Sequence, residues 1–214
     1  MCGFMVSEEK LETLKRWRVR DSKLLSPRRR EYLYKFLVKL ADDYVPLTRS
    51  AMDIDKLRTE TNLNKMEIKM MQDIINNLNP DKAIIDAVEA NTKAFRAKII
   101  GGLRKELKER LKAGTFELVC ENKADVNYPV VGAASIIAKV IRDSEVAKLH
   151  QKYGDFGSGY PSDILTVKWL KSWLESRGSF PPEVRHSWIT AKELLKEKAK
   201  ITLGQFAKPH PHEG

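Results

Sequence analysis

Asp86 closes a short apolar run, Lys82-Ala83-Ile84-Ile85, while Asp143 falls in helical register with Ile136, Val140 and Ala147, by steps of four, three and four. One acid thus ends a buried strand and the other lies in line with the packed side of a helix. Two carboxylates converging at a sheet edge suit a hard divalent cation such as Mg2+ or Mn2+, which takes oxygen ligands and keeps several waters. Basic residues crowd the same regions. Arg18, Arg20, Lys23, Arg28, Arg29 and Arg30 surround one loop and helix start, and Lys123, Lys139 and Arg142 lie near the second acid. Cations beside a metal site point to a phosphodiester, with metal ions clamping the attacking and leaving oxygens and side chains holding flanking phosphates. Taken singly, each acid reads as an ordinary cap or surface residue and each basic cluster as a solvated face. The pairing of basic clusters with apolar-face acids is what the bland reading explains less well.

The elements that must position these groups alternate. Ser26-Pro27 caps a helix from Pro27 to Ala41 carrying Tyr32, Leu33, Phe36, Leu37 and Leu40, with Ser as N-cap and Pro at the first helical position. Asp43 to Thr48 reads as a strand that Pro46 confines to an edge or a bulge. A helix over Leu63–Leu78 carries Met66, Met70, Ile74 and Leu78 along one side as core, and Asn79-Pro80-Asp81 stops it before the strand that ends at Asp86. Asn91-Thr92 then opens a long helix through Phe95, Ile99, Leu103, Leu107 and Leu111, weakened at Gly101-Gly102, and Thr115–Cys120 forms another strand. From Ala133 to Leu149 a helix rich in small residues, Gly132, Ala133, Ala134, Ser135 and Ala138, can lie close to a sheet and carry Asp143 toward the strand edges, where α/β proteins keep their sites. Helices follow around Trp169–Leu174 and over Ala191–Ala199, separated by Pro181-Pro182. The alternation argues for an α/β sheet with crossovers and a helical C-terminal region.

At 214 residues and 42% apolar content the chain is long enough for a sizeable core, and its net charge of +10 makes a polyanion the natural partner. Cys2 and Cys120 are too few and too far apart for a disulfide framework or a zinc motif, which predicts a reducing compartment. No apolar run approaches a membrane span and no basic-then-apolar leader opens the chain, so the expectation is a cytoplasmic protein.

Several stretches in order carry a more specific likeness. Asp21-Ser22-Lys23 followed by Leu24-Leu25-Ser26-Pro27, the Asn62-Leu63-Asn64 helix start, the strand ending at Asp86, the block from Ala133 to Asp143, and Gly157-Ser158-Gly159-Tyr160-Pro161-Ser162-Asp163 together resemble the type 2 ribonuclease H family, ribonuclease HII, closest to its archaeal members. The resemblance implies a ribonuclease H-like mixed sheet flanked by helices, and an endonuclease that cleaves the RNA strand of an RNA–DNA hybrid, or at ribonucleotides embedded in duplex DNA, with two divalent ions, Mg2+ or Mn2+. It also implies roles: Asp86 and Asp143 as two of four metal carboxylates, Tyr160 stacking near the sugar at the RNA-to-DNA junction, and Lys23, Asn64 and Lys139 at the substrate backbone or supporting the site. The 2′-hydroxyl is the group such a site must recognise.

The family opens with a strand leading into an Asp-Glu pair and a Gly-Arg-Gly turn, and neither is among these residues. Met1 aligns with the strand after that turn, so the expectation is two neighbouring strands with unpaired ladder groups. It follows that the chain as it stands should cleave little, with the two further carboxylates encoded upstream; a non-catalytic hybrid-binding remnant is the rival reading. Residues 1–163 are expected to form the catalytic domain, 164–199 a helical region and 200–214 a flexible tail, in a monomer. Leu203 and Phe206 have the spacing of a sliding-clamp motif whose Gln and second aromatic are replaced by Lys200 and Ala207, which predicts weak or no clamp contact.

Overall fold

The computed structural model describes residues 1–19 and 22–206, with the side chains of residues 24 and 201–206 outside the description. It divides into two compact units, one of Met1–Thr48 with Thr61–Ser144, the other of Arg49–Glu60 with the chain from Glu145 onward. The division between the units falls inside a helix.

In the first unit, β1 (Cys2–Met5) leads through a 3-10 turn to α1 (Leu11–Arg16). After a turn at Ser22–Leu24 comes α2 (Pro27–Leu40), whose N-cap Ser26 accepts a hydrogen bond from the Arg29 N–H, as its sequence predicts. β2 (Asp43–Pro46) then pairs antiparallel with β1, Gly3 opposite Val45. The segment Ala51–Glu60, α3, belongs to the second unit. The first unit resumes with α4 (Leu63–Leu78), β3 (Lys82–Asp86), α5 (Thr92–Gly101), α6 (Lys105–Ala113), β4 (Glu117–Glu121), the short α7 (Ala124–Asn127) and α8 (Pro129–Tyr153), which continues past Ser144. β3 and β4 are parallel, Ile84 opposite Val119.

Two expectations need correcting here. The long helix after Asn91 is two helices, because the chain must pass tightly over α4 at Gly102: a Cβ there would run into the Gln72 side chain. Asn76 fixes the crossing, donating to the Gly102 carbonyl at 3.0 Å and accepting from the Arg104 N–H at 2.8 Å. On α4 itself the buried residues are Ile68, Gln72, Ile74 and Ile75, while Met66 and Met70 are only half-buried.

The mixed sheet is present as two separate two-stranded pieces, β1-β2 and β3-β4, each with its own core. Phe4, Leu14, Leu33, Leu37, Ile136 and Ile137 pack around the first, and Ile75, Ile85, Phe95, Ile99, Leu107 and Leu118 around the second. Between the pieces lies a groove of about 1090 Å³, walled by β1 and β3, with Met71, Ile74 and Leu78 of α4 and Val130, Ala134 and Ala138 of α8 also lining it. Backbone directions follow from the period of two along a strand. Met1 exchanges both backbone hydrogen bonds with Leu47, at 2.9 Å each, so Gly3 and Met5 face β2, while Cys2 and Phe4 turn their N–H and C=O groups away from it. Glu117 donates to Asp81 and Ala87 to Glu121, both at 2.8 Å, so Ala83 and Ile85 face β4 while Lys82, Ile84 and Asp86 do not. Two open strand edges thus border one apolar groove, and burial there pushes the Cys2 thiol up to about 12.

The second unit comprises α3, the end of α8, α9 (Ile164–Arg177) and α10 (Ile189–Phe206), with its own core of Leu170, Leu174, Phe180, Val184, Ala191 and Leu194. α3 buries no residue of its own. Its Asp55 accepts from the backbone N–H groups of His186 and Ser187 at 2.6 and 3.1 Å, which ties this distant segment to the unit. The α10 backbone runs on to Phe206, well past Ala199. Among the described residues no helix is long and apolar enough to cross a membrane.

Candidate active site

Parallel strands put their carboxyl ends on the same side, and here both ends carry acids. Asp86 is the last residue of β3. Just beyond β4, Lys123 adopts a left-handed backbone (φ 60°) that a lysine rarely takes. That turn aims the N–H of the fully buried Ala124 at Asp86, whose Oδ1 accepts it at 3.1 Å. The next residue is Asp125, and Asp86 and Asp125 line the same groove. Such residues offer carboxylate oxygens, the donor type a hard divalent cation takes. Among the described residues no group of three or more His, Cys, Asp or Glu side chains converges in a way that could hold a metal.

Asp143 is engaged differently. Its Oδ1 accepts from Lys139 Nζ at 2.7 Å and Arg142 Nη1 at 3.2 Å, and its Oδ2 from Arg30 Nη2 at 3.2 Å. Burial works against its charge, but the hydrogen bonds from Lys139 and Arg142 outweigh that, and the carboxyl stays below the usual range. The packed face of α8 is Gly132, Ala133, Ile136 and Ile137, and Ala147, expected beside Asp143 on that face, is exposed. Asp143 is not among the residues that line the groove.

The other candidates sit apart. Lys23 is exposed on the Ser22–Leu24 turn. Asn64 is exposed in the first turn of α4, whose N-cap Asn62 accepts from the Lys65 N–H at 2.9 Å, and a smaller cleft there is lined by Asn62, Asn64, Lys65, Glu89 and Lys98. In the second unit, Tyr160 is 46% exposed on a loop whose form is set from beneath. Asp163 caps α9, accepting from the Leu165 N–H at 3.0 Å and from the Ser158 N–H at 2.6 Å. The hydroxyl of Thr166, 3% exposed, accepts from the Gly159 N–H at 3.0 Å and donates to the Phe156 carbonyl at 2.9 Å. Gly157 has a φ of 77°, and a Cβ there would meet the Asp163 carboxylate, so the loop needs glycine at that point. Hydrogen bonds from Ser158 and Leu165 hold the Asp163 carboxyl down at about 2. The side chains of Leu203 and Phe206 lie outside the described residues.

Sequence reasoning passed over Asp125. The signal that could have found it is positional: an acid shortly after the strand that follows Asp86, at the same end of a parallel pair.

Solved structures of like fold include the ribonuclease H2 from Pyrococcus horikoshii OT3, with a TM-score of 0.81 at 38% identity over 91% of this chain and 88% of that one. A second is the PCNA:RNase HII complex from Archaeoglobus fulgidus, with a TM-score of 0.76 at 34% identity over 90% of this chain and 87% of that one. The fold is therefore that of a ribonuclease H-like α/β nuclease. The model of the Ribonuclease HII family matches residues 1–191, and the ribonuclease HII of Pyrococcus abyssi is 41% identical over 208 residues, 95% of this chain and 88% of its own. The chain belongs to the ribonuclease HII family. Its enzyme class is the type 2 ribonuclease H, an endoribonuclease that cleaves RNA in RNA–DNA hybrids, and the family depends on divalent metal ions.

Proposed function

We propose that Asp86 and Asp125 are the two acids of this chain that hold the divalent ion, Mg2+ or Mn2+, and that Asp143 organises cations rather than metal. The carrying observation is that Asp86 and Asp125 line one groove at the carboxyl ends of a parallel pair, whereas three cations already engage Asp143. When bound, the ion activates water and stabilises the developing charge on the phosphate. The chain's own part is to hold the substrate. Lys23 and Lys139 meet backbone phosphates, Asn64 makes a polar contact to the backbone, and Tyr160 stacks on the sugar at the RNA-to-DNA junction of a hybrid or an embedded ribonucleotide. An exposed aromatic on a loop pinned by Asp163 and Thr166 is pre-ordered for such stacking.

The test uses Mn2+ binding, followed by loss of the free-ion EPR signal, beside hybrid cleavage and hybrid affinity in EDTA. Two carboxylates hold a hard ion weakly, so these 214 residues should cleave slowly and need millimolar Mn2+. Asp86→Asn and Asp125→Asn should each weaken Mn2+ binding and residual cleavage by about tenfold or more, with hybrid affinity nearly unchanged, as befits ligands of the metal. Asp143→Asn should leave Mn2+ binding within about twofold. Loss of Mn2+ binding in Asp143→Asn but not in Asp125→Asn would return the metal to Asp143.

The Archaeoglobus relative is solved in a complex with PCNA. For this chain we expect at most a weak clamp contact through Leu203 and Phe206, since two of the four anchors of the motif are absent. A peptide spanning residues 198–210 titrated against the cognate clamp should bind no tighter than about 10 μM, a level at which few hot-spot contacts are made. Submicromolar binding would make the tail a recruitment signal.

A further inference from the structure

Arg30, one of the three cations that engage Asp143, is 8% exposed. Its Nη1 donates to two carbonyls of the preceding turn, Ser22 at 3.2 Å and Leu25 at 2.5 Å, and its Nη2 donates to Asp143 Oδ2 on α8 at 3.2 Å. A second link runs parallel to this one, since the hydroxyls of Ser22 and Ser135 lie 2.9 Å apart. The Nε of Arg30 is buried with no hydrogen-bond partner among the described residues. A buried guanidinium with one donor unsatisfied is a poor way to gain stability, because an apolar residue of similar volume often does as well or better. What the planar fork does provide is a fixed geometry spanning three acceptors on two elements. The turn it grips carries Lys23, and the acid it grips also gathers Lys139 and Arg142.

We propose that Arg30 is a positioning residue that clasps the Lys23 turn to α8 through Asp143, so that Lys23, Lys139 and Arg142 form one rigid cationic array for successive phosphates of the hybrid. Without the clasp the turn moves independently of α8, and Lys23 loses its fixed place along the backbone. This rests on the reading that Lys23 meets a phosphate, and the experiment separates the two.

The full chain is titrated with a fluorescent RNA–DNA hybrid in EDTA over a series of KCl concentrations, and the slope of log Kd against log[K+] reads the number of phosphates neutralised, about 0.9 per contact. Lys23→Ala should lower the slope by about that amount. Arg30→Met should lower it equally, although Arg30 is itself buried, and the double variant should fall no further. Arg30→Lys, which keeps the charge but lacks the fork, should behave like Arg30→Met, and it decides the matter if Arg30→Met does not fold. An unchanged slope in Lys23→Ala removes the phosphate reading beneath the proposal. A reduced slope in Lys23→Ala with an unchanged slope in the Arg30 variants, even if their Tm falls, makes Arg30 merely structural and overturns the clasp. Full recovery by Arg30→Lys overturns it too, since charge alone would then suffice.

Discussion

Single residues in this chain owe their behaviour to what their neighbours donate. Asp163 is the sharpest case: its carboxyl sits at about 2, against 3.8 for a free aspartate, because hydrogen bonds from Ser158 and Leu165 favour the charged form. A depressed pKa contributes stability that is complete above the unfolded value and is lost as pH falls through the folded one. The Tyr160 loop should therefore hold its form down to about pH 4 and loosen toward pH 2, visible in the near-ultraviolet dichroism of its aromatic residues. Asp163→Asn should abolish that acid step; a variant that kept it would place the titration elsewhere. Asp86 and Asp143 had equal standing as sequence letters. Their difference lies in their partners, a backbone N–H for one and three cations for the other.

At the scale of the element, local chemistry and tertiary fit make separable contributions. The Ser26 cap of α2 is local, so Ser26→Ala should cost about 1 kcal/mol in a urea titration, with the structure otherwise intact. Gly102 is tertiary. It brings the chain against Gln72, whose amide donates to the Lys98 carbonyl at 3.0 Å, and Gly102→Val should displace Gln72 and cost about 1–3 kcal/mol. Unchanged stability in Gly102→Val would show that the crossing is not tight. The same distinction explains the helices. Caps and stops placed α2, α4 and β3 correctly, whereas the break between α5 and α6 depended on a residue of another helix.

For the whole of the first unit, the governing feature is a groove between two strand edges. Amides whose N–H groups enter a ladder should exchange slowly with deuterated solvent and those that face the groove quickly. Exchange should therefore alternate along the chain, with Gly3, Met5, Ala83 and Ile85 slow and Cys2, Phe4, Ile84 and Asp86 fast. Uniform protection along β1 and β3 would mean that both edges are covered in solution. A net charge of +10 should also make hybrid binding fall steeply with salt.

The sequence by itself determined what is local or compositional: the α/β alternation, the capped helices, the basic character, and the ordered motifs that carry the ribonuclease HII resemblance. Those signals are periodicities, turn chemistry and fixed strings, and a linear chain contains them in full. Tertiary structure decided which charges meet. Arg30 and Asp143 are separated by more than a hundred residues, and nothing in either neighbourhood says that one neutralises the other. Asp125 comes to the same side as Asp86 only through the parallel pairing of β3 with β4. Pair partners depend on how strands and helices pack, and packing is a property of the folded chain.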